Sequence, residues 1–296
     1  MTIASAFLDL LAGGPVPADG AMGTALIAAG LPPGTAPEAW LLTDPGRAAV
    51  AAVQQGHVRA GARLLLACTF GANPLRLADG PAAGRTAEVC RVAVEVARAA
   101  AGRDALVAGS IGPTGALLAP YGELDPGAAR EAFAVQAAAL AAAGVDVLWV
   151  ETMADLAEAR AAVEGALAAA PGLPVVATLT FERGRTLFGD RPVAVAAALA
   201  DLGVTAVGAN CGAGFEAVLD VLPGLGEGAA GLPLVAKANA GRPFVGPGGE
   251  VAYPATAADA AAYAMRAVDL GALVVGGCCG TTAAHVAAIA AALAGR

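Results

Sequence analysis

DPGAAREAFAVQAAALAAAGVDVLWVET, residues 125–152, spells out one helix-and-strand unit. Asp125 stands where an N-cap carboxylate receives backbone N–H groups, and the alanine-rich run behind it has high helix propensity. Gly144 closes that helix in the left-handed region that a C-terminal cap requires. The run VDVLWVET at 145–152 is apolar at successive positions rather than alternating, as in a parallel strand covered by helices on its outer face. It ends on two polar residues, Glu151 and Thr152.

The same unit recurs on both sides. Further apolar runs read PVPADG at 15–20, ARLLLACTF at 62–70, DALVAGS at 104–110, LPVVATLTF at 173–181, VTAVGANC at 204–211, LPLVAKAN at 232–239 and ALVVGGCC at 272–279. Their starts lie roughly 28 to 47 residues apart, enough for one crossover helix each. DPGRAAVAAVQQGHVRAG at 44–61 supplies another such helix, with an Asp-Pro opening and a closing Gly. Eight βα units in succession predict a single (β/α)8 TIM-type barrel spanning residues 1–296, with no linker or charge run to divide it. An open doubly wound sheet fits less well, because no strand leads into a GxGxxG phosphate turn.

Composition narrows the function. Apolar residues make up 57% of the 296 and charged residues 14%, which permits a large core and excludes a disordered chain. Seventeen basic against 25 acidic side chains leave a net charge of −8, and the single Lys is Lys237. Without clustered cations, nucleic acid and anionic membrane surfaces are poor partners. The N-terminal MTIASAFLDLLAGG lacks a positive leader region, and the long apolar stretches are cut by Gly, Pro, Asp or Glu before about 20 residues. Five Cys, two of them adjacent, do not make a disulfide scaffold. A cytoplasmic protein is expected.

In a barrel of this kind, chemistry collects where strands end. Those positions hold Asp19-Gly20, Cys68-Thr69, Gly109-Ser110, Glu151-Thr152, Asn210-Cys211-Gly212, Lys237-Ala238-Asn239 and Gly277-Cys278-Cys279-Gly280. Cys211, Cys278 and Cys279 therefore converge on one rim from two strands with a single neighbour between them. Three thiolates with an open fourth position suit a catalytic zinc, which soft sulfur selects over magnesium or calcium. Cys90, inside TAEVCRVAVEVARAA, and Cys68 read as buried thiols. His57 and His285 read as packing or helix-end residues, with Thr281-Thr282 as candidate cap.

The segments DGAMGT, TFGAN, GPTG, ET, GANCG and GGCCGTT together resemble the homocysteine S-methyltransferase family, from about residue 15 to the C-terminus. Within it, GRTLFGD at 184–190 and KANAGRPFVGPGGEVAYP at 237–254 are most similar to the homocysteine-binding module of cobalamin-dependent methionine synthases. The resemblance implies zinc on Cys211, Cys278 and Cys279, with homocysteine bound through its sulfur. It further implies that Asp19 and Glu151 receive the substrate ammonium, with Thr69, Ser110 and Asn210 as additional contacts. Backbone N–H groups of GSIGPTG at 109–115 are a candidate carboxylate site. Two positions depart from the family pattern: Ala238 replaces a Pro, and Cys68 replaces an Asn common in the synthases. The resemblance covers one module only, so the expected methyl donor is methylcobalamin, free or on a separate corrinoid protein or cobalamin/folate-binding subunit. S-methylmethionine or betaine is the alternative donor within the family. Outside it, Lys237 at a strand end would suit a Schiff-base aldolase, and a metal-binding scaffold without turnover is the non-enzymatic reading.

Overall fold

The computed structural model describes residues 3–246, 249 and 251–296. Eight parallel strands form the central sheet: β1 (Val16–Pro17), β2 (Leu64–Leu66), β3 (Leu106–Ile111), β4 (Val147–Met153), β5 (Val175–Leu179), β6 (Ala206–Cys211), β7 (Leu234–Ala238) and, last in the chain, β10 (Ala272–Gly277). Between β7 and β10 a small antiparallel hairpin pairs β8 (Phe244–Val245) with β9 (Val251–Ala252). The large sheet runs β1-β10-β7-β6-β5-β4-β3-β2, and a parallel bridge between Ala18 and Leu64 joins its ends. This is the (β/α)8 barrel read from the sequence.

The predicted unit at 125–152 is present in detail. Asp125 accepts from Ala128 N–H at 3.0 Å, the helix runs Pro126–Ala143, and Gly144 caps it with φ 85°. The helix Asp44–Arg59 opens differently: Thr43, not the Asp-Pro pair, is the cap, accepting from Gly46 N–H at 3.2 Å. The first two strands are shorter than the apolar runs around them. Pro15 and Pro17 have no N–H to give to a ladder, which trims β1 to two residues. The hairpin was not anticipated, and Pro247, Gly248 and Glu250 of the 237–254 stretch lie outside the described residues.

Two cores result. Outside the sheet, strands and helices bury one extended aliphatic layer. Inside it, Val16, Leu64, Leu66, Val147, Trp149, Val176, Val235 and Val274 fill the lower barrel, and Phe7 and Leu11 from the helix Ile3–Ala12 close its base. The upper barrel is polar instead, with Asp19, Ser110, Glu151, Thr178, Asn210 and Lys237 all buried. An apolar floor beneath a polar ceiling places reactive groups at the C-terminal mouth.

Candidate metal centre and substrate pocket

Cys211 ends β6, and Cys278 and Cys279 follow β10; β7 lies between them. The end of β7 laces the two sides together. Cys278 N–H donates to Ala238 O at 2.8 Å, Ala240 N–H to Cys279 O at 2.9 Å, and Asn239 N–H to Cys211 O at 3.4 Å. The three sulfurs lie within 4.8 Å of one another, and each Cys is only partly buried, open toward the mouth. Tetrahedral zinc with Zn–S near 2.3 Å would set sulfurs about 3.8 Å apart, a spacing that falls inside that limit.

Local backbone supports this. Cys211 itself adopts φ 65°, a left-handed conformation uncommon outside glycine. Gly280 (φ 79°) must be glycine for a second reason: a Cβ there would lie 2.1 Å from the Tyr253 ring, which packs against the Cys279 side of the centre. Hydrogen bonds from Cys278 and Cys279 hold Cys211 far below the ordinary thiol value, while bonds to Cys211 and Cys279 hold Cys278 well above it. Asn239 donates from Nδ2 to Gly212 O at 2.7 Å, and its buried Oδ1 has no partner. Three soft sulfur donors fit a thiophilic cation.

Near the sulfurs lie two buried carboxylates, Asp19 and Glu151. Glu151 accepts from Ser110 Oγ at 2.5 Å and from Asn210 Nδ2 at 3.3 Å. Burial pushes its carboxyl up to about 7, against the opposing pull of Lys237. Asp19 forms a buried ion pair with Lys237, accepts from Leu66 N–H at 2.8 Å, and receives Lys237 Nζ on its backbone oxygen at 3.3 Å. The two carboxylates are therefore unequal. Lys237 compensates Asp19 directly, a cation that counting charges along the sequence does not reveal. Lys237 Nζ is buried and engaged by Asp19 rather than open to the barrel mouth.

The other expected contacts have partners of their own. Thr69 Oγ1 donates to Ser110 O at 2.8 Å, and Gln136 Nε2 bridges Thr69 O and Ser110 O at 2.7 and 3.0 Å. In the GSIGPTG loop, Gly112 N–H donates to Phe70 O and Thr114 N–H to Glu158 Oε1, both at 2.8 Å. Cys68 and Cys90 are buried thiols, as read. His285 completes a capping box with Thr282 and reaches Ala255 O at 3.0 Å; His57 is buried beneath the Asp19–Gly20 turn. Tyr253 was not anticipated, because nothing in the chain order hints that it covers Gly280.

The profile of the family described as Homocysteine S-methyltransferase matches residues 17–293. The chain belongs to that family. It is 33% identical over 303 residues to the methionine synthase of Mycobacterium tuberculosis, covering 97% of this chain and 25% of that one. It is 34% identical over 257 residues to an S-methylmethionine–homocysteine S-methyltransferase of Rattus norvegicus, covering 81% of this chain and 68% of that one. Among solved structures, the metallated homocysteine methyltransferase MmuM from Escherichia coli superimposes with a TM-score of 0.78 at 29% identity, covering 98% and 99% of the two chains. The chain thus spans about a quarter of the mycobacterial synthases it matches.

Proposed function

We propose that residues 1–296 form one zinc-dependent domain that transfers a methyl group to the thiol of homocysteine, yielding methionine. The observation that carries this is the convergence of Cys211, Cys278 and Cys279 beside a buried acidic pocket. Cys211, Cys278 and Cys279 would hold the zinc. When bound, zinc draws the proton from a coordinated thiol and keeps the sulfur nucleophilic at neutral pH. The protein's own part is orientation. Glu151, fixed by Ser110 and Asn210, accepts the substrate ammonium, while the charge of Asp19 is taken up by Lys237. Methyl transfer needs in-line approach at that sulfur rather than a general base.

Two features support methylcobalamin or a methylated corrinoid protein as donor. One is the similarity to methionine synthases over nearly the whole chain. The other is exposed apolar side chains on segments that follow strand ends, a collar for short: Leu117 and Tyr121 after β3, Leu187 after β5, and Phe244, Val245 and Val251 in the β8–β9 hairpin after β7. A small sulfonium donor would leave most of that collar unused. The similarity to the rat enzyme, at 68% coverage of its length, keeps S-methylmethionine as the second reading. A cytoplasmic setting accords with five free cysteines; among the described residues no helix is long and apolar enough to cross a membrane.

The test is the visible spectrum of methylcobalamin mixed anaerobically with zinc-loaded protein. Homocysteine-dependent conversion to cob(I)alamin, with methionine formed in step, is the expected result. No conversion with free or protein-bound methylcobalamin, alongside turnover of S-methylmethionine, would replace the donor. Failure with every donor at full zinc occupancy would overturn the enzymatic reading.

A further inference from the structure

The segment that carries Glu151 is distorted in a way that regular strand geometry does not explain. Pairing between β4 and β5 matches Val150 to Ala177 and then Met153 to Leu179, so three steps on β4 oppose two on β5. Glu151 and Thr152 occupy this bulge. Thr152 has φ 60°, and a β-branched residue in the left-handed region is an outlier that persists only where its surroundings enforce it. Bulges of this kind re-aim one side chain. Here the re-aimed side chain is Glu151.

The enforcing group is the amide of Asn210, which reaches across β5 from β6. Its Oδ1 accepts from Thr152 N–H at 2.8 Å. Its Nδ2 donates to Thr152 Oγ1 at 2.6 Å and to Glu151 Oε2 at 3.3 Å. Both amide hydrogens are thereby used, and none is left for a substrate. Thr180 Oγ1 anchors the backbone of the same residue, donating to Asn210 O at 3.1 Å. The next residue is Cys211, the sulfur donor with φ 65°. One amide therefore spans the acidic pocket and the backbone of a proposed metal ligand.

We infer that Asn210 and Thr152 form a positioning clamp that fixes the Glu151 carboxylate relative to the sulfur centre, and so makes the site select thiols bearing an α-ammonium. Asn210 acts through Glu151 and Thr152 rather than by touching substrate. The inference rests on the proposed reading of Glu151 as the ammonium acceptor. It differs from that reading in placing specificity on two residues that never meet the ligand.

The test compares two thiols by isothermal titration calorimetry on zinc-loaded protein. Homocysteine and 4-mercaptobutyrate share a thiol and a carboxylate, and only homocysteine has the amino group. Wild-type protein should prefer homocysteine by roughly 100-fold. Asn210→Ala should weaken homocysteine roughly 10–100-fold, as loss of a hydrogen bond to a charged group does, while shifting 4-mercaptobutyrate less than about threefold. Thr152→Val keeps the shape and the amide but loses the Oγ1 bond, and should move homocysteine alone by about 3–10-fold. If Asn210→Ala does not fold or hold zinc, Thr152→Val decides the matter by itself. Both variants keeping the wild-type ratio, or weakening the two thiols equally at full zinc content, would overturn the clamp. Equal binding of the two thiols by wild-type protein would overturn the ammonium reading itself, and the clamp with it.

Discussion

Glu151 carries a buried carboxyl whose value burial pushes from 4.5 up to about 7, and that shift has a sign that can be checked. Because the folded value is the higher one, the native state holds the proton more tightly than the unfolded chain does. The contribution to stability is complete below about pH 4.5 and is lost as pH rises toward 7. Thermal melts between pH 5 and 8 should therefore fall for wild-type protein relative to Glu151→Gln, and homocysteine should narrow the gap by supplying a positive partner. Parallel curves would mean that the carboxyl titrates normally. Cys211→Ala should drop zinc from about one per chain to near none by elemental analysis, with an unchanged circular dichroism spectrum. At this scale the sequence was informative where chemistry is local. Three Cys flanked by Gly at strand ends are legible in one dimension. The partners of Asp19 and Asn210 are not, because the Lys237 pair and the β4 bulge exist only once distant strands have docked.

The helix Ile3–Ala12 and the hairpin at 244–252 show what patterning reads and what it misses. Eight apolar runs disclose eight strands, since a parallel strand buried on both faces leaves no ambiguity about which residues belong inside. The N-terminal helix has the same apolar character but a different task, inserting Phe7 and Leu11 into the open base of the barrel. Phe7 is fully buried, so Phe7→Ala should cost about 3–5 kcal/mol in urea unfolding. Zinc content and homocysteine binding should stay at wild-type levels, because the floor lies at the opposite end from the sulfurs. Loss of zinc in a folded Phe7→Ala protein would mean that floor and mouth are coupled. The hairpin escaped the reading because its strands are only two residues long, with mostly exposed side chains and too few positions to show alternation.

Across the whole molecule, function follows from a gradient: aliphatic at the base, charged in the upper barrel, thiol-rich at the rim and apolar on the collar. If a protein-bound corrinoid is the donor, a charge placed on that collar should disturb docking without touching the acceptor site. Val245→Asp with Leu187→Asp should raise the apparent KM for a methylated corrinoid protein about tenfold, with homocysteine affinity by calorimetry unchanged. An unchanged KM would point to a small donor instead. The central claim is narrower than either donor: that homocysteine sulfur joins Cys211, Cys278 and Cys279 on one metal ion. Zinc-edge X-ray absorption of the zinc-loaded protein, with and without homocysteine, tests it directly. The sulfur coordination number should rise from three to four on adding homocysteine, and a number that stays at three would contradict the account.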